Sequence, residues 1–124
     1  MIADDAGFIR QIVREVYETA GHEVVAEAAN GIETVTKALE LRPDLLILDI
    51  VLPDRNGLEV AVEISSQNQQ IVMVATSSLD TEWIEENAKL AGCFHFLKKP
   101  FTKEELLQVA KMTALKMEKE LKHG

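Results

Sequence analysis

The sequence is short of the features that mark several large protein classes. Cys93 is its only cysteine, so no disulfide can form within the chain, as is usual in a reducing cytoplasm. No apolar run approaches the roughly 18 residues of a membrane span, and no basic segment followed by an apolar stretch marks a secretion signal. Basic residues number 13 against 21 acidic ones, a net charge of −8. We therefore expect a cytoplasmic protein that neither inserts into membranes nor binds nucleic acid directly.

What is present is an ordinary globular composition in an alternating order. The 124 residues are 47% hydrophobic, enough for one domain over residues 1–124. Short apolar runs alternate with segments that have helical spacing of apolar residues. The first run starts almost at the first residue, so that strand either is short or lacks residues in front of it. The runs predict strands at 2–5, 24–26, 45–48, 71–75 and 94–97, and the spacing predicts helices at 8–16, 32–39, 58–64, 80–91 and about 103–121.

The alternation predicts the fold class. Repeated strand–helix units favour a parallel sheet with right-handed crossovers, which at this length is a doubly wound, three-layer α/β sandwich. The run at 45–48 lies between Asp44 and Asp49 and is apolar throughout, as in a strand covered by helices on both faces. Before the last helix, Thr102 and Glu105 have the spacing of a capping box.

Reactive side chains follow four of the five predicted strands, at the sheet edge where open α/β proteins bind ligands. They are Asp4 and Asp5 after the first strand, Asp49 after the third, Thr76 and Ser77 after the fourth, and Lys99 after the fifth. Clustered carboxylates repel one another, and a divalent cation such as Mg²⁺ relieves the repulsion and bridges to phosphate. A lysine suits a phosphoryl oxygen, and a carboxylate can form an aspartyl phosphate. Taken singly, each of these residues also fits a purely structural role, as a helix cap or a solvated charge.

The full set, in order and with compatible spacing, resembles the response-regulator receiver domain, and in particular its stand-alone chemotaxis type. The matching positions are Asp4-Asp5, Asp49, Pro53, Gly57 and Lys99-Pro100-Phe101. The resemblance extends to about Ala114 and implies a single receiver domain with the flavodoxin-like strand order 2-1-3-4-5. The last helix then runs past the family's usual end.

The resemblance assigns the acidic residues. Asp49 corresponds to the aspartate that is phosphorylated and also binds Mg²⁺. Asp5 corresponds to the direct Mg²⁺ ligand, Asp4 assists through water, and the backbone carbonyl of Val51 corresponds to the third protein ligand.

It also assigns the phosphate and switch residues. Lys99 corresponds to the phosphate-contacting lysine. The family hydroxyl falls on Ser77 if no gap is allowed between Asp49 and Lys99, and on Thr76 if the alignment shifts by one residue. Phe96 occupies the aromatic switch position, without the hydroxyl that a tyrosine would bring.

The implied function is a two-component signalling switch that is not an enzyme beyond its own phosphotransfer and dephosphorylation. A sensor histidine kinase supplies the phosphoryl group, and the change reaches a protein target, or a second copy of the chain, through the fourth helix, fifth strand and fifth helix. Trp83 on that fourth helix is a candidate contact. Val51 and Leu79 border the path of water to the phosphate, and because both are apolar we expect a long-lived phosphoryl group.

Other functions remain open on this architecture. A receiver-like adaptor or dimerisation module without phosphorylation is one, although the complete set of acids, hydroxyl and lysine argues against it. A flavodoxin-like ligand-binding enzyme would want a Gly-rich or Ser/Thr-rich phosphate loop after the first strand, where Asp4 and Asp5 stand instead. A Mg²⁺-dependent phosphatase would want a second acid two residues after Asp49, and Val51 occupies that position.

Overall fold

The computed structural model describes residues 1–79 and 82–123, with side chains described as far as residue 121. Five strands alternate with five helices. The elements are β1 (Ile2–Ala3), α1 (Gly7–Thr19), β2 (Glu27–Ala28), α2 (Gly31–Leu41), β3 (Leu45–Asp49), α3 (Gly57–Gln67), β4 (Val72–Ser77), α4 (Glu82–Leu90), β5 (His95–Lys98) and α5 (Lys103–His123). Within the described ranges, every helix is too short or too polar to cross a membrane.

The strands form one parallel sheet in the order β2-β1-β3-β4-β5. The doubly wound fold class and its strand order are therefore confirmed. The register pairs Ala3 of β1 with Leu48 of β3, and Asp49 with Thr76 of β4. All strands consequently end at the same edge of the sheet, which is where the sequence predicts the reactive side chains.

Two apolar cores cover the two faces of the sheet. On one face Leu46 and Leu48 pack with buried residues of α2, α3 and α4. On the other face Ile47 packs with α1 and α5, where the Tyr17 hydroxyl donates to the Leu106 carbonyl oxygen at 2.8 Å. Because alternate residues of β3 pack into the two cores, the strand is held on both faces. Asp49, its last residue, is therefore held in a fixed position.

Helix termini follow local chemistry. The predicted capping box of α5 is present: Glu105 N–H donates to Thr102 Oγ1 at 3.1 Å, and Thr102 N–H donates to Glu105 Oε1 at 2.9 Å. Gly21 after α1 has φ +91, a left-handed conformation that glycine adopts without strain. The residue before α1 is Ala6, which makes no side-chain cap, so Asp4 and Asp5 are not the N-cap of that helix.

The second strand is displaced from its predicted position. It was expected at 24–26, from the apolar residues there, but β2 is Glu27–Ala28. The reason is pairing: β1 offers two residues, and its register matches them to Glu27 and Ala28. Ala26 contributes only a carbonyl oxygen, which accepts from Ile2 N–H at 3.1 Å.

The other element boundaries lie close to the predicted ones. α3 continues past the expected end at residue 64 to Gln67, and β5 is shifted by one residue to His95–Lys98. α4 spans Glu82–Leu90 within the predicted 80–91, and the start predicted at Asp80 falls outside the described residues.

Candidate functional site

Three aspartates gather at the carboxyl edge of the sheet. Asp4 and Asp5 follow β1, and Asp49 ends β3. Ala3 pairs with Leu48, so the residues that follow them, Asp4 and Asp49, lie beside each other. One carboxylate oxygen from each of Asp4, Asp5 and Asp49 lies within 4.8 Å of the other two. The structure therefore brings together the three acids that the sequence predicts to converge.

The three acids differ in burial. Asp4 and Asp49 are 3% and 4% exposed, whereas Asp5 is exposed to solvent. Burial, reinforced by the nearby charge of Asp4, raises the pKa of Asp49, against the opposing effects of the Val51 N–H and the Lys99 ammonium. The cluster thus has two desolvated carboxylates that need a cation and one open carboxylate at its entrance.

Lys99 supplies a cation from the end of β5, the edge strand on the far side of β4 from Asp49. Its Nζ lies 2.7 Å from Asp4 Oδ2 and 3.1 Å from Asp49 Oδ2. Burial alone would lower the pKa of Lys99, but the hydrogen bonds and charges of the two aspartates raise it above its ordinary value. The Lys99 N–H also donates to the Ser77 carbonyl oxygen at 2.8 Å. The Lys99 backbone is therefore fixed by its amide, and the ammonium by the two carboxylates.

The loop after Asp49 is packed closely against the strand it leaves. Val51 N–H donates to Asp49 Oδ1 at 3.0 Å, and Gly57 N–H donates to the Ile50 carbonyl oxygen at 2.7 Å. A Cβ at Gly57 would lie 2.4 Å from Ile50 Cα and 2.6 Å from the Asp49 carbonyl oxygen. Only glycine fits there, because α3 begins directly against the backbone at the end of β3.

The same loop is tied to the neighbouring helix. The Asp54 carboxylate accepts from Gly31 N–H at 2.6 Å and from Ile32 N–H at 3.0 Å. These are free amides of the first turn of α2, and the two hydrogen bonds lower the pKa of Asp54. The loop that carries Val51 is therefore fixed at its middle by Asp54 as well as at its two ends.

Both candidate hydroxyls are buried at the end of β4, and they differ in the face that their strand positions give them. Alternation along β4 places Thr76 on the face of Val74, toward α1 and α5. It places Ser77 on the face of Met73 and Ala75, toward α3 and α4. Ser77 Oγ accepts from Leu79 N–H at 3.0 Å, so Ser77 also organises the start of the following segment.

Phe96 lies on the same side as Ser77. It pairs with Ala75 in the β4–β5 register and packs, partly buried, against the core that includes α4. Trp83 on α4 is 63% exposed and lies outside both cores. Val51, two residues after the end of β3, and Leu79, two residues after the end of β4, are each about half exposed, at 55% and 52%. Cys93 is buried, and burial raises the pKa of its thiol to about 12.

Arg10 is a contact of the site that the sequence did not reveal. Its Nη1 donates to the Asp4 carbonyl oxygen at 2.7 Å, and its Nε donates to Glu27 Oε1 at 3.0 Å. A signal was present, since an arginine near the positive N-terminal end of a helix is unfavourable without a specific partner. Nothing in the spacing, however, linked Arg10 to Glu27 in another element.

The donor set fits a hard divalent cation. Three carboxylates within one ligand sphere, open through Asp5, match the oxygen ligands and retained waters that Mg²⁺ prefers. A cavity of about 320 Å³ lies at the opposite edge of the sheet, where Met1, Tyr17, Pro43 and Met117 line it. It is remote from these acids and takes no part in their chemistry.

Comparison with known proteins gives one consistent family. The model of the response regulator receiver domain matches residues 1–111. The chemotaxis protein CheY of Listeria monocytogenes is 32% identical over 114 residues, which cover 92% of this chain and 96% of that protein.

Two solved structures are similar over most of their length. A CheY-like response regulator receiver domain protein from Methanospirillum hungatei superposes with a TM-score of 0.90 at 25% identity, covering 96% of this chain and 94% of the other. The CheX–CheY complex with BeF3 and Mg²⁺ from Borrelia burgdorferi gives a TM-score of 0.83 at 26% identity, over 86% of this chain and 81% of the matched chain.

Proposed function

The chain belongs to the response regulator receiver domain family of two-component systems, and from that premise we propose that it is a signalling switch driven by phosphorylation of Asp49. The observation that carries the proposal is the setting of this residue. Asp49 is buried beside two further aspartates, and its carboxylate lies 3.1 Å from the Lys99 ammonium. A sensor histidine kinase is the proposed phosphoryl donor, which would place the protein in the cytoplasm.

Asp49 is the proposed nucleophile. One of its carboxylate oxygens attacks the phosphorus of a phosphohistidine, the P–N bond breaks, and the imidazole leaves with a proton, giving an aspartyl phosphate. Asp5, Asp49 and the Val51 carbonyl would hold Mg²⁺ directly, and Asp4 through water. When bound, the ion offsets the repulsion between the anionic carboxylate and the anionic phosphoryl group. Asp49 acts ionised; burial, with the Asp4 charge, raises its pKa, and a neighbouring cation favours the ionised form.

Lys99 and a hydroxyl are the proposed hydrogen-bond donors to the new phosphoryl oxygens. Lys99 already contacts Asp49, and its point charge suits an oxygen attached to that residue. We assign the hydroxyl to Ser77 because its strand position puts it on the face of Phe96 and α4. Thr76, on the face of α1 and α5, is the alternative. The Ser77 hydroxyl oxygen now accepts a hydrogen bond from Leu79 N–H. Movement of Ser77 toward the phosphate would break this bond and free the segment leading to α4.

The proposed output is a change in the α4-β5-α5 face. Phe96, at the edge of the core, would turn into the space that Ser77 vacates, and the aspartyl phosphate would bias this two-state element. Trp83, exposed on α4, is the proposed anchor for a protein target, since tryptophan is enriched at binding hot spots. The alternative partner for this face is a second copy of the chain. The solved complex from Borrelia burgdorferi shows that a receiver of this fold is found with both a protein and BeF3 and Mg²⁺.

Lifetime is the kinetic part of the proposal. Val51 and Leu79 flank the site and carry no group that could orient water. We expect the double replacement Val51→Asn, Leu79→Glu to shorten the half-life of the phosphorylated protein several-fold, measured by intact mass after the donor is removed. An unchanged half-life would place control of hydrolysis elsewhere.

The test uses a small phosphoryl donor. Incubation with phosphoramidate and Mg²⁺ should add the mass of one phosphoryl group to the intact protein, and chelation of the metal should prevent the addition. Asp49→Asn should abolish it, and Lys99→Met should reduce it strongly. Asp44→Asn, an exposed acid at the opposite end of β3, is the matched control and should react like the wild type.

Failure would have a definite form. Equal phosphorylation of the wild type and Asp49→Asn would remove Asp49 from its role. No phosphorylation of any variant would favour the adaptor that acts without phosphorylation. Rapid turnover of many equivalents of the donor, with release of phosphate, would favour an enzyme.

A further inference from the structure

Asp4 and Asp5 are adjacent in sequence, yet they are held very differently. Every polar atom of Asp4 has a partner: its N–H donates to Ala28 O, Oδ1 accepts from Ala6 N–H, Oδ2 from Lys99 Nζ, and its carbonyl oxygen from Arg10 Nη1. The Asp5 side chain is exposed and makes no hydrogen bond with any residue in the described part of the chain. Yet Asp5 is the residue proposed to bind the ion directly.

The Asp4–Asp5 peptide bond connects these two conditions. A peptide unit is planar, so fixing the Asp4 carbonyl oxygen also fixes the direction of the Asp5 N–H and Cα. The 2.7 Å hydrogen bond from Arg10 Nη1 is the contact that fixes this oxygen. The same bond therefore fixes the position of the Asp5 Cα, from which the Asp5 side chain leaves the backbone.

Arg10 is itself immobilised. Its Nε is bonded to Glu27 Oε1 at 3.0 Å, and the two side chains are only 21% and 29% exposed. Glu27 belongs to β2, which pairs with β1. The guanidinium thus links Glu27 of β2 to the Asp4 carbonyl oxygen after β1 through two charge-assisted hydrogen bonds. A lysine cannot reproduce this rigid, two-donor geometry.

We infer that Arg10 is a positioning residue for the metal site, acting through the Asp4–Asp5 peptide plane to aim the Asp5 carboxylate at the cluster. The inference rests on the proposed function, because Asp5 matters as a ligand only if the site takes Mg²⁺. Partners that orient metal ligands commonly change metal affinity by roughly 10–100-fold when they are removed. Arg10 would do so while contacting neither the ion nor the phosphoryl group.

The chain provides a matched control in Arg14. Arg14 lies one turn further along α1 and bonds the other oxygen of the same carboxylate, Glu27 Oε2, at 2.7 Å, but has no bond to Asp4. Arg10→Met and Arg14→Met remove the same charge from the same helix and each break one ion pair with Glu27. Only the first frees the Asp4 carbonyl oxygen.

Electrostatics makes the expected result distinctive. Removing a cation near a site for Mg²⁺ should by itself strengthen binding slightly. We expect isothermal titration calorimetry with Mg²⁺ alone to show binding about tenfold weaker in Arg10→Met, and unchanged or slightly tighter in Arg14→Met. Arg10→Lys, which keeps one donor for the carbonyl oxygen, should fall between the wild type and Arg10→Met. In the metal-free proteins, the Asp5 amide resonance should shift in Arg10→Met and not in Arg14→Met.

The outcomes separate the two proposals. Wild-type protein that binds no Mg²⁺ would contradict the proposed function itself. Wild-type binding with equal affinities in the two methionine variants would overturn the role of Arg10 and leave the proposed function intact. If Arg10→Met does not fold, the comparison of Arg10→Lys with Arg14→Lys decides, and equal affinities there would again overturn the inference.

Discussion

On one side of Asp49, the ends of β1 and β3 are fastened by hydrogen bonds to the elements around them. We call this the ion-binding side and define it as residues 4–19, Glu27, which binds Arg10 and Arg14, and residues 49–57. On the other side, here called the output side, Ser77–Leu79 leads to α4. There Trp83 and Leu90 are 63% and 85% exposed, and the side-chain contacts of Asn87 and Lys89 stay within the helix.

The difference fits the two tasks of the proposed switch. Metal ligands must be held in place before the ion arrives, and the ion-binding side has Arg10, Asp54 and Gly57 fixing its backbone. A segment that changes conformation must be held by little free energy, and α4 buries only Ile84 and Ala88 among its described side chains. Stability is therefore concentrated on the side proposed to bind the ion, and three pairs of substitutions test this view.

The largest expected effect is that of Gly57→Ala. The added methyl group would lie 2.4 Å from Ile50 Cα and would force the backbone of the ion-binding side to move. We expect a loss of about 2–3 kcal/mol in the free energy of unfolding, measured by urea denaturation. Gly7→Ala is the control, because its Cβ would meet only a side-chain atom, Arg10 Nη2, at an ordinary 3.5 Å. Equal effects of the two substitutions would show that the β3–α3 junction is not tightly packed.

Next in size is the contrast between Val13 and Trp83. Val13 on α1 is fully buried, so Val13→Ala should cost about 2 kcal/mol of unfolding free energy through lost burial and a cavity. Trp83→Ala removes a larger side chain from α4 but should change stability by less than about 0.5 kcal/mol, because that side chain packs in neither core. Comparable losses would mean that α4 is held as firmly as α1.

The smallest effect concerns an ion pair on each side. Arg14 and Arg10 lower the pKa of Glu27 below 4.5, its ordinary value. A lowered pKa stabilises the fold above pH 4.5 and loses that contribution as pH falls through the lower, folded-state pKa. Glu27→Gln should therefore cost less than about 1 kcal/mol at pH 7, and its difference from the wild type should shrink toward pH 3. Glu85→Gln on α4, whose partner Lys89 is 3.9 Å away and exposed, should have no effect at either pH.

Most of this arrangement could be predicted from the sequence because it depends on local order. An apolar strand followed at once by an acid, as at Asp49, places that acid at the carboxyl edge whatever the packing details. The alternation of strands and helices predicted the fold class, and reactive residues after four of the five strands predicted the acidic cluster and the lysine beside it.

The rest depends on which segments meet. The second strand was predicted two to three residues too early because apolar character was visible and pairing with β1 was not. Arg10 with Glu27, and Asp54 with Gly31, join residues 17 and 23 positions apart. The choice between Thr76 and Ser77 turns on a shift of one residue, which moves the side chain to the other face of the sheet.

The most direct measurement is chemical identification of the phosphorylated residue. Sodium borohydride reduces an acyl phosphate to an alcohol, so treatment after incubation with phosphoramidate and Mg²⁺ marks the acceptor permanently for tandem mass spectrometry of its peptide. The account predicts a single reduced residue, at Asp49, that disappears when Mg²⁺ is chelated. A mark at Asp4, Asp5 or elsewhere, or no mark under conditions in which a known receiver domain is labelled, would contradict it.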